Sequence, residues 1–180
     1  MLNDIQTILI STDEIAARVK EMGTQISADY ADKEILMVGV LRGAVVFMSD
    51  LARAISVPVA IDFMAVSSYG VSTTSSGIVR IMKDLDEEVA GRHILVVEDI
   101  VDTGLTLNYL LDNLRSRKPA SIRLVTLLNK QERRRKDVHV DYIGFNIPDH
   151  FVVGYGLDYA EQYRNLPFIG ILKPEAYEGR

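Results

Sequence analysis

Ile94-Leu-Val-Val-Glu-Asp-Ile-Val-Asp-Thr-Gly-Leu-Thr-Leu107 is the stretch that decides the fold. Ile94 to Val97 is a continuous apolar run, the pattern of a strand buried on both faces of a parallel sheet. It is expected to end at two adjacent carboxylates, Glu98 and Asp99. Asp102 follows, and then Thr103-Gly104-Leu105-Thr106 opens a helix. Leu107, Leu110, Leu111 and Leu114 mark that helix, which stops before Pro119. In parallel α/β sheets ligands bind beyond the carboxyl ends of the strands, where this turn lies.

The two halves of the turn suit opposite jobs. Thr103 to Thr106 offer backbone N–H groups and two hydroxyls at a helix N-terminus, which suits a phosphate dianion. Gly104 has no side chain to hold the oxygens away. The carboxylates would repel phosphate but accept hydrogen bonds from sugar hydroxyls. Because neighbouring strand residues point to opposite faces, Glu98 and Asp99 can share one ribose only where the strand is ending. An acidic pair beside a phosphate cradle describes a pocket for a ribose 5-phosphate. The plainer alternative is that the acids cap a strand and Asp102 caps the helix. The stretch is neither a phosphate loop with Gly-Lys-[Ser/Thr] nor a G-x-G-x-x-G dinucleotide fingerprint.

Upstream, Ser11 and Glu14 have capping-box spacing, and Ile15, Val19, Met22 and Ile26 share one helical face. Ile35 to Val40 predicts a buried strand, residues 44–55 a helix, and residues 57–66 another strand. Residues 67–77 are rich in Ser, Thr and Gly, with almost nothing to bury. They are expected to form a mobile loop, either a hairpin tip or a lid. Ile78 to Met82 and Ile122 to Leu128 predict strands, as do the shorter segments Tyr142 to Ile147 and Phe151 to Val153. Buried strands alternating with helices predict an α/β fold with a mainly parallel twisted sheet flanked by helices. The segments at both chain ends are expected to build a small hood over one edge, within a single domain over 1–180.

Composition narrows the classes. The chain has 180 residues, 48% of them hydrophobic, enough for one domain with a real core. With 20 Lys+Arg against 25 Asp+Glu, the net charge of -5 argues against nucleic acid as the main partner. There is no Cys, so no disulfide framework and no zinc-thiolate site. No signal-peptide pattern opens the chain, and Ile35 to Leu41, its longest apolar run, is far below the roughly 18 residues of a membrane helix. A cytoplasmic protein is expected.

Val96-Val-Glu-Asp-Ile-Val-Asp-Thr-Gly104 resembles the phosphoribosyl-pyrophosphate (PRPP) signature of the type I phosphoribosyltransferases. Leu41-Arg-Gly-Ala44, Ser68-Tyr-Gly70 and Pro148-Asp-His-Phe-Val-Val-Gly-Tyr-Gly-Leu-Asp-Tyr159 resemble segments of their hypoxanthine-guanine branch. The resemblance spans about residues 35–175. It implies transfer of a 5-phosphoribosyl group from PRPP to N9 of hypoxanthine or guanine, giving IMP or GMP and pyrophosphate. Mg²⁺ is the implied cofactor and a homo-oligomer, dimer or tetramer, the implied assembly.

The resemblance also implies residue roles. Glu98 and Asp99 would hold the ribose hydroxyls, directly or through the metal. Asp102 would act as general acid/base beside purine N7. Thr103, Gly104, Leu105 and Thr106 would bind the 5-phosphate, and Arg42, Gly43 and Arg164 the pyrophosphate. Lys130 would donate to purine O6, Phe151 would stack on the ring, and Val152 would offer backbone to its edge. Asp158 would hold Mg²⁺ near the pyrophosphate and border the purine site. Ser68 and Tyr69 would close over the reaction.

A sibling transferase acting on xanthine or a pyrimidine is the nearest rival. An RNA-binding regulator that uses the fold as a nucleotide sensor is the rival from another class. Its footprint would be Arg133-Arg-Arg-Lys136, a run otherwise expected to be a solvated turn. His93, His139 and His150 are too scattered for a metal site by spacing.

Overall fold

The structure, a computed structural model, describes residues 1–68 and 79–177. In chain order the elements are β1 (Ile5–Ile10), α1 (Thr12–Asp29), β2 (Ile35–Leu41), α2 (Val45–Ala54), β3 (Val59–Ser68), β4 (Val79–Lys83) and β5 (His93–Val101). They continue with α3 (Leu105–Ser116), β6 (Ser121–Asn129), β7 (Tyr142–Asn146), β8 (Val152–Val153), β9 (Ile169–Leu172) and α4 (Pro174–Tyr177). The capping box of α1 forms: the Glu14 amide donates to Ser11 Oγ, and the Ser11 amide donates to the Glu14 carboxylate at 2.8 Å.

Six strands form the main sheet in the order β4-β3-β2-β5-β6-β7. All neighbours are parallel except β4, which returns antiparallel along β3. Helices cover both faces because the strand residues alternate. Met37, Leu95, Val97, Val125 and Leu127 pack with Val19, Met22 and Leu51 of α1 and α2. Leu36, Val38, Ile94, Val96 and Leu124 pack with Leu107, Leu110 and Leu114 of α3. Neighbouring strands β2 and β5 lead to connections that leave in opposite directions, towards β3 and towards β6. The turns after them therefore flank a crevice at the carboxyl edge of the sheet. A second, antiparallel sheet, β1-β9-β8, joins the first strand of the chain to the last two.

One expectation is corrected. β5 does not stop at Val97 but runs to Val101, paired with β6 as far as Asn129. Backbone pairing continues irrespective of side-chain polarity, so Glu98 and Asp99 lie within the strand and leave on opposite faces.

Asp62, on β3, ties down the connection from β4 to β5. Its buried carboxylate accepts from the Phe63, Asp86 and Glu87 amides at 2.7, 2.8 and 2.9 Å, and Lys83 Nζ lies 3.5 Å away. Burial alone would raise its pKa, but these three N–H groups and Lys83 outweigh burial and hold it below the usual carboxylate value. Its stabilisation is therefore present above the unfolded-state pKa and lost as pH falls through the lower folded-state pKa. Asp62→Ala is expected to cost about 1–3 kcal/mol at neutral pH, because three amides lose their acceptor. Urea melts should show that gap narrowing in acid; a gap that widened would contradict it.

Candidate active site

The turn after β5 encloses a cavity of about 150 Å³ lined by Glu98, Asp102, Thr103, Gly104 and Thr106. Gly104 is the N-cap of α3, with φ +79°, and no side chain caps the helix. Its first-turn N–H groups thus face the cavity end of the helix, where the dipole favours an anion. A Cβ on Gly104 would meet the Lys136 carbonyl at 2.7 Å, so glycine is required by conformation and by space. The Leu105 side chain is exposed, leaving its backbone to face the ligand. Asp102 Oδ1 is buried and makes no hydrogen bond among the described residues; Arg133 Nε lies 3.2 Å from it, without hydrogen-bond alignment.

Asp99 leaves the other face of β5, towards the turn after β2. A Cβ on Gly43 would lie 1.6 Å from Asp99 Oδ2, so this carboxylate sits directly against the Gly43 backbone. The Leu41–Arg42 peptide at that turn is cis. Residues 154–164 close the same corner. Gly154, Tyr155, Gly156, Ala160, Glu161 and Tyr163 have positive φ, and the loop folds on bridges Gly154–Leu157 and Tyr159–Gln162. That coiling brings Asp158 to Arg164, six positions on in sequence, with Oδ1 2.9 Å from Nη2. Arg164 Nη1 donates to the Gly156 carbonyl at 2.7 Å. Glu161, which the sequence reading passed over, pairs with Arg42 at 2.8 Å and lies 3.5 Å from Arg164.

Burial and then the Asp99 charge push the Glu98 pKa well above its ordinary value. Burial raises Asp99 to about 6, opposed by the Ile100 amide and Arg164 and reinforced by Asp158. Among the described residues no three potential ligands converge on one point. Mg²⁺ ordinarily takes one or two carboxylates and completes its shell with substrate oxygens and water. A corner with Asp99 and Asp158 beside two arginines fits a metal-bound pyrophosphate on that basis.

At the other end of the crevice Lys130 follows β6. Its amide donates to the Val101 carbonyl at 3.0 Å, fixing it to the end of β5. Its buried Nζ donates to the His150 carbonyl at 2.6 Å and lies 3.4 Å from Asp149 Oδ1. Phe151 comes next and stays 40% exposed, unusual for a ring in a chain with this much core. Tyr177 stacks on it at 4.8 Å and Tyr159 meets it edge-on at 5.5 Å. Val152 is buried and pairs with Ile171 across the second sheet. The aromatic partners were not anticipated, because Tyr177 reaches Phe151 only through α4. Of the expected closing residues, Tyr69 lies outside the described residues, and for Ser68 only the backbone end of β3 is described.

The basic run is not simply solvated. The Arg135 and Lys136 amides both donate to the Thr103 carbonyl, at 3.0 and 3.1 Å. Arg134 donates to Asn129 and to the Val138 carbonyl. Arg133 pairs with Asp102 and Asp149. The segment is docked onto the turn after β5, although Arg133, Arg135 and Lys136 keep exposed surface.

A parallel sheet with an acidic strand-to-helix turn at its switch point is the architecture of a phosphoribosyltransferase, and the family model for the phosphoribosyl transferase domain matches residues 7–160. The chain is 56% identical to the hypoxanthine-guanine phosphoribosyltransferase of Bacillus subtilis, over 99% of each chain. It is 53% identical to the same-named protein of Mycobacterium tuberculosis, over 97% of this chain and 90% of that one. A crystal structure of a hypoxanthine phosphoribosyltransferase from Staphylococcus aureus superposes with a TM-score of 0.95 at 48% identity, covering 98% and 96% of the two chains. The chain belongs to the hypoxanthine-guanine branch of the phosphoribosyltransferase family.

Proposed function

We propose that the chain transfers the 5-phosphoribosyl group of PRPP to N9 of hypoxanthine or guanine, in purine salvage. The bond from the anomeric carbon to pyrophosphate breaks, the bond to N9 forms, and the purine proton passes to Asp102. The observation that carries this is Asp102 Oδ1, buried beside the first turn of α3 and without a hydrogen bond among the described residues, with the Lys130 ammonium reached from it through Arg133 and Asp149.

Each residue then has a physical task. Thr103, Gly104, Leu105 and Thr106 anchor the 5-phosphate at the N-terminus of α3. Glu98, on the cavity side of β5, takes the ribose hydroxyls, while Asp99, on the opposite face against Gly43, serves the pyrophosphate corner instead of sharing that ribose. Arg42, the Gly43 backbone and Arg164 take the pyrophosphate, whose charge grows as it leaves. Asp158 and Asp99, which share the corner beside Arg164, would hold Mg²⁺, which supplies charge neutralisation for pyrophosphate when bound; Glu98, on the other face of β5, is left out of that set. Phe151 and Val152 hold the purine ring, with Asp158 at its border, and Lys130 donates to O6. Tyr69, expected to close over the reaction, lies outside the described residues, and Ser68 ends β3.

This reading takes 1–180 as one catalytic domain, with β1, β8 and β9 as its hood; the closing loop expected over about 67–77 is corrected at its start, where Ser67 and Ser68 pair with β4, and its remainder lies outside the described residues. Its assembly is a homo-oligomer, dimer or tetramer, acting in the cytoplasm. No described helix is long and apolar enough to cross a membrane.

Pyrophosphate release from PRPP and Mg²⁺ with hypoxanthine, guanine, xanthine and adenine tests the reaction. Turnover with the first two supports it, and turnover with xanthine alone moves the chain to the sibling enzyme. Binding of PRPP with no turnover on any purine would favour the sensor.

Lys130 sets selectivity, because an amino group at C6 would oppose donor to donor. Lys130→Ala is expected to lower the ratio of hypoxanthine to adenine kcat/KM by about 10–100-fold, the worth of one charged hydrogen bond. PRPP affinity should change far less. An unaltered ratio would remove Lys130 from purine reading.

A further inference from the structure

We infer that Arg133 is a positioning residue for the transfer, holding the Asp102 carboxylate through a chain of alternating charges that also reaches Lys130. The inference rests on the proposed reaction, in which Asp102 and Lys130 contact N7 and O6 on one edge of the purine.

The chain is continuous. Lys130 Nζ lies 3.4 Å from Asp149 Oδ1, the same oxygen lies 3.6 Å from Arg133 Nη1, and Arg133 Nε lies 3.2 Å from Asp102 Oδ1. Asp102 Oδ1 is buried and accepts no hydrogen bond among the described residues, so among them the Arg133 charge is its partner. Through Nε and Nη1 the guanidinium, a rigid fork, sets one positive charge between the Asp102 and Asp149 carboxylates, at 3.2 and 3.6 Å.

Arg133 is itself held. It ends the short 3-10 turn Gln131–Arg133, directly after Lys130. Arg135 and Lys136 dock their amides on the Thr103 carbonyl, one residue beyond Asp102. At Gly104 the two segments approach so closely that a Cβ would lie 2.7 Å from the Lys136 carbonyl. Backbone contact therefore sets the reach of Arg133 to Asp102, and a shift of either segment moves both purine contacts together.

Arg133 is 45% exposed and Asp102 38%, so water screens the pair and its value to folding is small. Its effect belongs in kcat. Arg133→Ala is expected to lower kcat by about 10–100-fold, the scale of a small misplacement of a catalytic group. The melting temperature and the KM for PRPP should hardly move. Arg133→Lys should recover part of the loss, since it restores charge without the fork.

The deciding measurement is a double-mutant cycle with Asp102→Asn. If Arg133 works through Asp102, adding Arg133→Ala to Asp102→Asn costs little more. A full, additive loss in that background would overturn the inference, and so would unchanged kcat in Arg133→Ala alone. The wild-type chain runs in the same assay. Its failure to turn over any purine would sink the reaction itself, a result distinct from an active wild type with an additive cycle.

Discussion

Asp102→Asn is expected to lower turnover by about 10²–10⁴ while PRPP still binds, the usual loss when a general acid/base is removed. Asparagine matches aspartate in size, so the turn from Val101 to Leu105 has no steric reason to move. The proposed 5-phosphate cradle uses backbone from Thr103 onward and the Gly104 conformation, neither of which depends on the carboxylate. What the amide cannot do is take a proton from the purine. It also presents no charge to Arg133, which lies 3.2 Å from Oδ1 in the native chain. Steady-state rates with hypoxanthine, set beside PRPP binding by calorimetry, separate the two. Turnover equal to wild type would remove Asp102 from the mechanism, and parallel loss of PRPP binding would make its role structural.

Gly156→Ala is expected to abolish most activity and to destabilise the chain. A Cβ at Gly156 would stand 2.2 Å from the Gly43 carbonyl oxygen, a contact with backbone rather than with a yielding side chain. Gly156 also has φ +102°, which L side chains rarely adopt; holding alanine there costs about 1–3 kcal/mol. Relief requires the Arg42–Gly43 turn or the 154–164 loop to retreat, and both carry the proposed pyrophosphate contacts. A displacement of about 1 Å in such a clamp is enough for a 10²-fold loss. PRPP affinity should fall together with kcat, unlike in Asp102→Asn. A variant with native melting temperature and native KM for PRPP would show that this close approach does not matter.

What was legible in the sequence is what is local in the chain. The run from Val96 to Gly104 keeps its strand, acids and helix start within nine consecutive residues, so its pattern survives reading in one dimension. The apolar faces of α1 and α3 likewise follow from spacing alone. The residues that were missed meet across long separations. Glu161 reaches Arg42 over 119 positions, and Asp62 accepts amides 24 and 25 positions away. Such a polar pair leaves no periodic trace. The error at the end of β5 has a different cause: an apolar run records burial, whereas the strand is defined by its backbone ladder to β6. Arg133 to Lys136 read as solvated because their charges are visible in sequence, while the docking of their amides on Thr103 is not.

The aromatic contact at the purine end has an optical consequence. With no Trp in the chain, its intrinsic near-ultraviolet emission comes from tyrosine, and of the eight tyrosines Tyr159 and Tyr177 pack around Phe151. With the purine on Phe151, as proposed, a heterocycle enters the immediate surroundings of two native fluorophores. On that placement tyrosine emission is expected to report base occupancy without a dye, a coupled enzyme or an added chromophore.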